Sequence, residues 1–474
     1  MTATFTRNST AYLQDGTLVN TNLPRYETGK FAQAVTVEGG TANAHSNPRL
    51  ETSVTGWDGS YRCSLTRTNE RAIFGEWSAR IVADDPAANW FASTQPTLAF
   101  VCAPSTVYAF SIPVFSATSN VGRTRIEVNQ FRADSSHVAD LWSAFSARRG
   151  EWERLTVVFT SHAEAARLSF RLRGDVASVP GDTYWATAAQ IEPRGYVTSF
   201  HQATRAPETL TIPSTGVLSP TAGTIEQYAS LFRAPGTNEQ FIFDGAGAAN
   251  RNLQVLIATN GLPTLRYGTG AATVEIQGTT AWVRNTQYAI AWKWETAGVK
   301  LLVNGAVVAS SGTAPSIEFG ANAYLGSRAD GTLQLDGLID DLRISSRART
   351  DAEILTGFNS NAPLPLDADT TAKFTFDGVL TNLFTNYTGL TAATIVPSSE
   401  QVYSYGHTGL TVAEALPSAE IAPSYAHAGI VAVNVIPVAK WFFAPPPGVP
   451  QYMFSVPREE YMFSVPREAD FYVR

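Results

Sequence analysis

The chain has 474 residues, and only 16% are charged, against roughly 25% in an average soluble protein. Acidic residues outnumber basic ones by 41 to 34, so the basic footprint expected of a nucleic-acid binder is missing. Hydrophobic residues make up 44%, enough to pack cores, which excludes a wholly disordered chain; 35 Gly and 26 Pro mark it as rich in turns.

The opening residues, Met1 to Arg7, contain no apolar run, so no secretory signal is expected. Residues 1–44 read as an N-terminal arm with weak strand signals. Residues 45–204 read as a first β-sandwich. Its period-two runs include Glu153-Arg-Leu-Thr-Val-Val-Phe159 and Ala166-Arg-Leu-Ser-Phe-Arg-Leu172; in the second, polar and large apolar residues alternate as one buried face requires. Cys63 and Cys102 fit no metal or redox spacing and are expected as buried thiols rather than a disulfide. Residues 205–362 read as a second sandwich. Gly298-Val-Lys-Leu-Leu-Val-Asn304 alternates in the same way, and Asn304-Gly305 is a type I′ hairpin signal. The one helical turn follows Thr350, which can cap it with Glu353 at the capping-box position. Asn361-Ala-Pro-Leu-Pro-Leu366 is a linker. The fold class is therefore all-β: two consecutive β-sandwich (jelly-roll) domains, then a short β-repeat region over 363–440 and an extended tail over 441–474.

The C-terminal quarter carries two internal repeats. In the first, of period 20, Tyr387-Thr-Gly-Leu390, His407-Thr-Gly-Leu410 and His427-Ala-Gly-Ile430 align. Each unit ends in an apolar-Pro pair, Val396-Pro397, Leu416-Pro417 or Ile436-Pro437. Such units could stack as a small β-solenoid or pair with other chains. A position shared by Tyr387, His407 and His427 suits packing better than metal binding. In the second repeat, of period nine, Tyr452-Met-Phe-Ser-Val-Pro-Arg-Glu459 recurs from Tyr461 to Glu468. Tyr452, Phe454 and Val456, with Tyr461, Phe463 and Val465, would line strand faces that add to another subunit's sheet. From Asn382 to Val438 only Glu400, Glu414 and Glu420 are charged, which suggests a surface mostly covered by other protein. The apolar run over 428–443 is too short to span a bilayer and contains Pro437 and Lys440, so no membrane insertion is expected.

Three sets of motifs carry family resemblances. Trp282-Val-Arg-Asn-Thr-Gln-Tyr-Ala-Ile-Ala-Trp292, the 298–305 strand and turn, Tyr324-Leu-Gly-Ser327 and Gly337-Leu-Ile-Asp-Asp-Leu-Arg-Ile344 resemble the laminin-G-like, concanavalin A-like jelly rolls. That resemblance implies the fold, and a role in sugar binding, protein binding or structure. Asn47-Pro-Arg-Leu-Glu51 with Gly56-Trp57, the 150–159 run, Gly181-Asp-Thr-Tyr-Trp185 and Ala189-Gln-Ile-Glu192 resemble carbohydrate-binding-module sandwiches. Arg7-Asn-Ser-Thr-Ala-Tyr12, Asp15-Gly16, Pro24-Arg25-Tyr26 and Ala203-Thr-Arg-Ala206 resemble border motifs of bacteriophage tail-fibre and virion proteins.

Catalytic signatures are absent from the sequence. The paired acids of a glucanase on this fold need alternate positions on one strand, whereas Asp340 and Asp341 are adjacent and face opposite ways. Asp340 is expected to tie its strand to nearby backbone or to Arg343. No enzyme activity is expected. The glycan-binding candidates are Trp90, Phe91 and Trp142 as exposed aromatics, with Asn250, Arg251 and Arg328 in polar loops of the second sandwich. No cofactor is expected; the jelly-roll resemblance implies that loops at one rim can bind calcium, and Asp244 and Asp330 are the positions nominated for it here. The expected function is that of a bacteriophage virion structural protein, a fibre or surface appendage presenting its sandwiches to host glycans. Alternatives are a capsid-decorating protein without receptor binding and a polysaccharide-degrading spike. Partners would be other virion proteins, further copies of the chain (a trimer favoured) and a host cell-surface glycan or protein, but no nucleic acid.

Overall fold

The computed structural model describes residues 2–57, 60–84, 90–93, 100–236, 238–378 and 380, with the short segments 411–412 and 431–432. The tail residues Tyr452, Phe454, Val456, Tyr461, Phe463 and Val465 lie outside them.

The first sandwich packs two antiparallel sheets. One runs, in spatial order, His137–Trp142, Thr124–Phe131, Arg167–Gly174, Phe91–Ser93 and Ser60–Tyr61. The other runs Trp152–Thr160, Val107–Ser116, Thr183–Ala186, Ser78–Ala83 and Cys63–Thr68. Inward residues alternate as the period-two runs require: Ile126 and Val128 on one strand and Leu168, Phe170 and Leu172 on its neighbour meet Phe110, Ile112 and Tyr184 from the opposite sheet. Cys63 and Cys102 are buried, free thiols in this core.

A seven-stranded and an eight-stranded sheet make the second sandwich, with Trp292, Trp294, Phe243 and Tyr267 in its core. Asn304 and Gly305 both take positive φ between strands Gly298–Val303 and Ala306–Ser311, as a type I′ turn demands. Helix Asp351–Asn359 starts with the full capping box: the Thr350 side chain accepts from Glu353 N, and Glu353 reaches back to Thr350 N.

Three segments of the residues read as an N-terminal arm, Thr4–Thr6, Tyr26–Thr28 and Gln33–Val37, are strands of the second sandwich. Thr4–Thr6 pairs antiparallel with Thr209–Pro213, and Gln33–Val37 pairs with Gly337–Ser345. Thr370–Phe374, which the sequence placed in the repeat region, flanks the other half of Gly337–Ser345. Two segments far apart in sequence thus share one flank of that strand and leave it no bare edge. Turn 30–31 is held there by Asp340, whose Oδ2 accepts from Lys30 N at 2.6 Å and Phe31 N at 3.1 Å. Asp340 therefore ties its strand to backbone, while Asp341 accepts from Leu364 N at 2.6 Å and pairs with Lys373.

Where the two sandwiches meet, five charged side chains are buried together. Arg25 bridges Glu38 at 2.6 Å and Glu208 at 2.7 Å, Arg7 reaches Glu208 at 2.9 Å, and Arg205 reaches Glu38 at 2.9 Å. All five side chains are at most 1% exposed. Burial alone would raise the Glu38 carboxyl, but Arg205 and Arg25 hold it below the ordinary carboxylate range. Arg7, Arg25 and Arg205 come from the border motifs, so those motifs supply the cations of an ionic clamp.

In the C-terminal region, Thr411–Val412 pairs in parallel with Val431–Ala432, one 20-residue period further on. A parallel step at the repeat length is the pairing that a solenoid coil uses.

Candidate glycan-binding face

The outer face of the first sheet of sandwich one carries polar and aromatic residues in place of a plain solvated surface. Outward positions along Thr124–Phe131 are Arg125, Glu127 and Asn129, and along Arg167–Gly174 they are Ser169, Arg171 and Arg173, alternating with the core residues named above. Register assembles them into rows. Tyr61, Phe91, Arg173 and Arg125 lie side by side across four strands. The next row is Arg171, Glu127 and Trp142, and a third is Ser169, Asn129 and Asp140.

The middle of this face is deep. Glu127 is 1% exposed, Asn129 5% and Ser169 0%, although all three point away from the core. Around them stand Trp142 and Tyr61, each 46% exposed. Glu127 Oε1 accepts from Arg173 Nη1 at 2.5 Å and from Trp142 Nε1 at 3.3 Å. Asp140 Oδ1 accepts from Asn129 Nδ2 at 2.6 Å and lies 2.7 Å from His137 Nε2. Burial alone would raise the Asp140 carboxyl, but these two bonds hold it below its ordinary value. Guanidiniums lie on the rings: Arg171 is 4.3 Å from the Phe91 centroid, and Arg125 is 5.0 Å from Trp142 and 4.6 Å from Phe145. Tyr61 and Phe91 stack at 5.5 Å.

Five polar atoms on this one face are buried without a hydrogen-bond partner: Glu127 Oε2, Asn129 Oδ1, Ser169 Oγ, Arg125 Nε and Arg171 Nε. Buried polar atoms are nearly always paired, so such a cluster beneath an open aromatic rim has the form of an incomplete hydrogen-bond set. Acceptors, a hydroxyl and N–H donors alternating over a few ångströms, with ring faces beside them, match the surface of a sugar.

The sequence candidates divide. Phe91 and Trp142 belong to this face. Trp90 does not: it is 1% exposed and fills the core against Tyr184, with Nε1 3.3 Å from Ser178 Oγ. Room for its indole depends on Gly174, where a Cβ would meet Trp90 Nε1 at 2.0 Å. The reason is alternation; of the adjacent Trp90 and Phe91, one must face inward. Asn250, Arg251 and Arg328 sit in loops of the second sandwich with partners of that sandwich: Ala271 O, Glu318 and Asp330, respectively. Asp244 is buried and spends its carboxylate on N–H donors, Oδ1 accepting from Ala246 N and Asn252 Nδ2 and Oδ2 from Ala329 N. Donor hydrogens stand where a cation would need open oxygens, so this donor set does not fit calcium. Asp330 accepts from Thr332 N and Oγ1. Among the described residues no three His, Cys, Asp or Glu side chains cluster as metal ligands.

Sequence reading missed Arg125, Glu127, Asn129, Asp140, Ser169, Arg171 and Arg173. Their signal was present as polar residues at every second position of two strands, but the same pattern describes any solvated sheet face.

A second concavity, of about 360 Å³, opens near the junction and is lined by Trp152, Arg154, Pro113 and Phe200. Its arginine is already engaged with Ser111 Oγ and Thr198 O.

Residues 206–355 match the family model of the concanavalin A-like lectin/glucanases superfamily. No curated protein matches the chain. Among solved structures, the enzymatically active domain of bacteriophage CBA120 tailspike protein 4 is similar at 13% identity and a TM-score of 0.27, over 31% of this chain and 21% of that one. The match therefore spans about a fifth of that domain's length. A family 16 carbohydrate-binding module is similar at 14% identity and a TM-score of 0.26, over 31% of this chain and 99% of that one. The CBM40 of Ruminococcus gnavus IT-sialidase, bound to α2,3 sialyllactose, is similar at 15% identity and a TM-score of 0.24, over 29% of this chain and 82% of that one.

Proposed function

We propose that the first sandwich binds glycan on its outer sheet face and that the chain presents this face as part of a bacteriophage virion appendage. The observation that carries the first half is the buried, unpaired polar floor of Glu127, Asn129 and Ser169 under the Phe91, Tyr61 and Trp142 rim. Ring faces stack on apolar sugar faces, and the floor completes its hydrogen bonds with hydroxyls. The ionic clamp at the junction supports presentation, because it ties the N-terminal segment to the linker between the two sandwiches. The border motifs that supply the clamp are those that resemble tail-fibre openings. Weak single sites on a many-copy appendage add up to firm attachment.

The proposal is for binding without cleavage. Glycoside hydrolysis needs one carboxylic acid and one carboxylate across the bond. On this face Glu127 is tied to Arg173 and Trp142, and Asp140 is held ionised by its two hydrogen-bond donors.

The full chain on an array of bacterial surface polysaccharides should bind a subset, and Trp142→Ala should remove that binding while leaving the thermal transition in place. Binding unchanged by W142A would overturn the site. Gold-labelled antibody against the chain should decorate phage appendages; particles that never label would overturn the virion half alone.

A further inference from the structure

The chain as a whole is anionic, at −7, yet its candidate face is not. Outward positions on this face hold Arg125, Arg167, Arg171 and Arg173 against two carboxylates, Glu127 and Asp140. A cationic patch on an anionic protein needs a cause, since solubility does not supply one. The cations are all arginine. A guanidinium offers a planar fork that pairs with carboxylate or sulfate through two parallel bonds, which an ammonium cannot do.

The pairing is also incomplete. Glu127 takes Arg173 at 2.5 Å, and Arg171 approaches its other oxygen only to 3.9 Å. Arg125 pairs with no carboxylate among the described residues and rests on the Trp142 and Phe145 rings. Both Arg125 and Arg171 keep a buried Nε–H without an acceptor. A neutral sugar can offer hydroxyls to these donors but leaves Arg125 without a carboxylate and Arg171 with only its 3.9 Å approach to Glu127. An anionic group on the ligand would satisfy the donors and the charge together. Stacking on Phe91 and Trp142 limits the rotamers of both arginines, so less freedom is lost when the anion docks.

We infer that the ligand of this face is an acidic polysaccharide, with a sugar-borne carboxylate or sulfate held by Arg125 and Arg171 beside the rings of Phe91 and Trp142. This rests on the reading of the face as a glycan site. The test uses the full chain and two matched pairs of probes: polygalacturonate beside its carboxyl-reduced form, and dextran sulfate beside dextran. Tighter binding to a charged member by about tenfold or more, falling as salt rises, is expected. Which pair shows the difference tells carboxylate from sulfate. Arg125→Gln and Arg171→Gln should each cut affinity for the charged probe about ten- to a hundredfold. Arg251→Gln, on the second sandwich, should leave it unchanged, which separates this site from general attraction to charge. If charged and uncharged members bind alike and W142A weakens both, the glycan face stands and the acidic ligand is overturned. If R251Q weakens binding as much as R125Q, or none of the four probes binds, the inference is overturned.

Discussion

Two outer sheet faces of this molecule carry the same chemistry and end differently. On the second sandwich, Glu226 receives Arg343 through two bonds, 2.8 Å and 2.7 Å, with Arg349 3.5 Å away, and all three are buried. That face is closed by the chain itself: helix residue Phe358, turn residue Phe31 and Leu364 pack over Tyr228. On the first sandwich, Glu127 meets Arg173 and Arg171 under the side chains of its own sheet, with no separate helix or turn of the described chain laid over them as on the second. Its floor keeps unpaired atoms, and its rim keeps exposed rings. A buried Glu–Arg pair is therefore enclosed where the fold supplies a lid, and on the first sandwich it lies under the face proposed to bind glycan.

This contrast is open to direct attack. The largest effect should come from Glu226→Gln, which strands Arg343 under its cover and should cost about 3 to 5 kcal/mol in denaturant unfolding. Glu127→Gln should cost about 1 kcal/mol or less, because Arg171 and Arg173 are 19% and 30% exposed and can turn to water. Equal losses from the two variants would erase the distinction.

The clamp at the junction should behave like the covered face and respond to acid. Glu38 and Glu208 have depressed values in the fold, so their contribution is complete above the unfolded value near 4.3 and is lost as pH falls through the folded values. His201 adds an earlier loss. Burial lowers it to about 4, and its Nε2 has no partner, so it folds neutral. Acidification from about 6.5 towards 4 then protonates only the unfolded state, removing on the order of 3 kcal/mol. His201→Gln should flatten that part of a stability–pH curve and keep the steeper loss below it.

Trp142→Ala should do the reverse of E226Q, lowering glycan affinity about tenfold or more with no change in thermal midpoint. A comparably small effect belongs to the lid. Thr350→Ala removes one half of the capping box and should cost about 1 kcal/mol in unfolding, with glycan binding untouched.

Much of this architecture could be read from residues in order. Period-two runs located strands Trp152–Thr160, Arg167–Gly174 and Gly298–Val303, Asn304-Gly305 located a hairpin, and Thr350 with Glu353 located the one helix among the described residues. Each of these signals is local, decided by residues within a few positions of one another. The arm was legible only as weak strands, because Thr4–Thr6 and Gln33–Val37 find their partners some 200 and 300 residues away. Arg7, Arg25 and Arg205 were visible as motifs, but their meaning lies in two glutamates that only folding brings to them.

The sequence by itself determined that this is a low-charge, all-β chain of sandwiches, since alternation and turn chemistry act over short distances. Tertiary structure decided which of two adjacent aromatics is core, Trp90, and which is surface, Phe91. It also decided which polar face is lidded and which is left open, because cover comes from segments remote in the chain. The shortage of charge that marks the composition is accordingly uneven in three dimensions. Arginines gather on the open face of the first sandwich, against the sign of the chain that carries them.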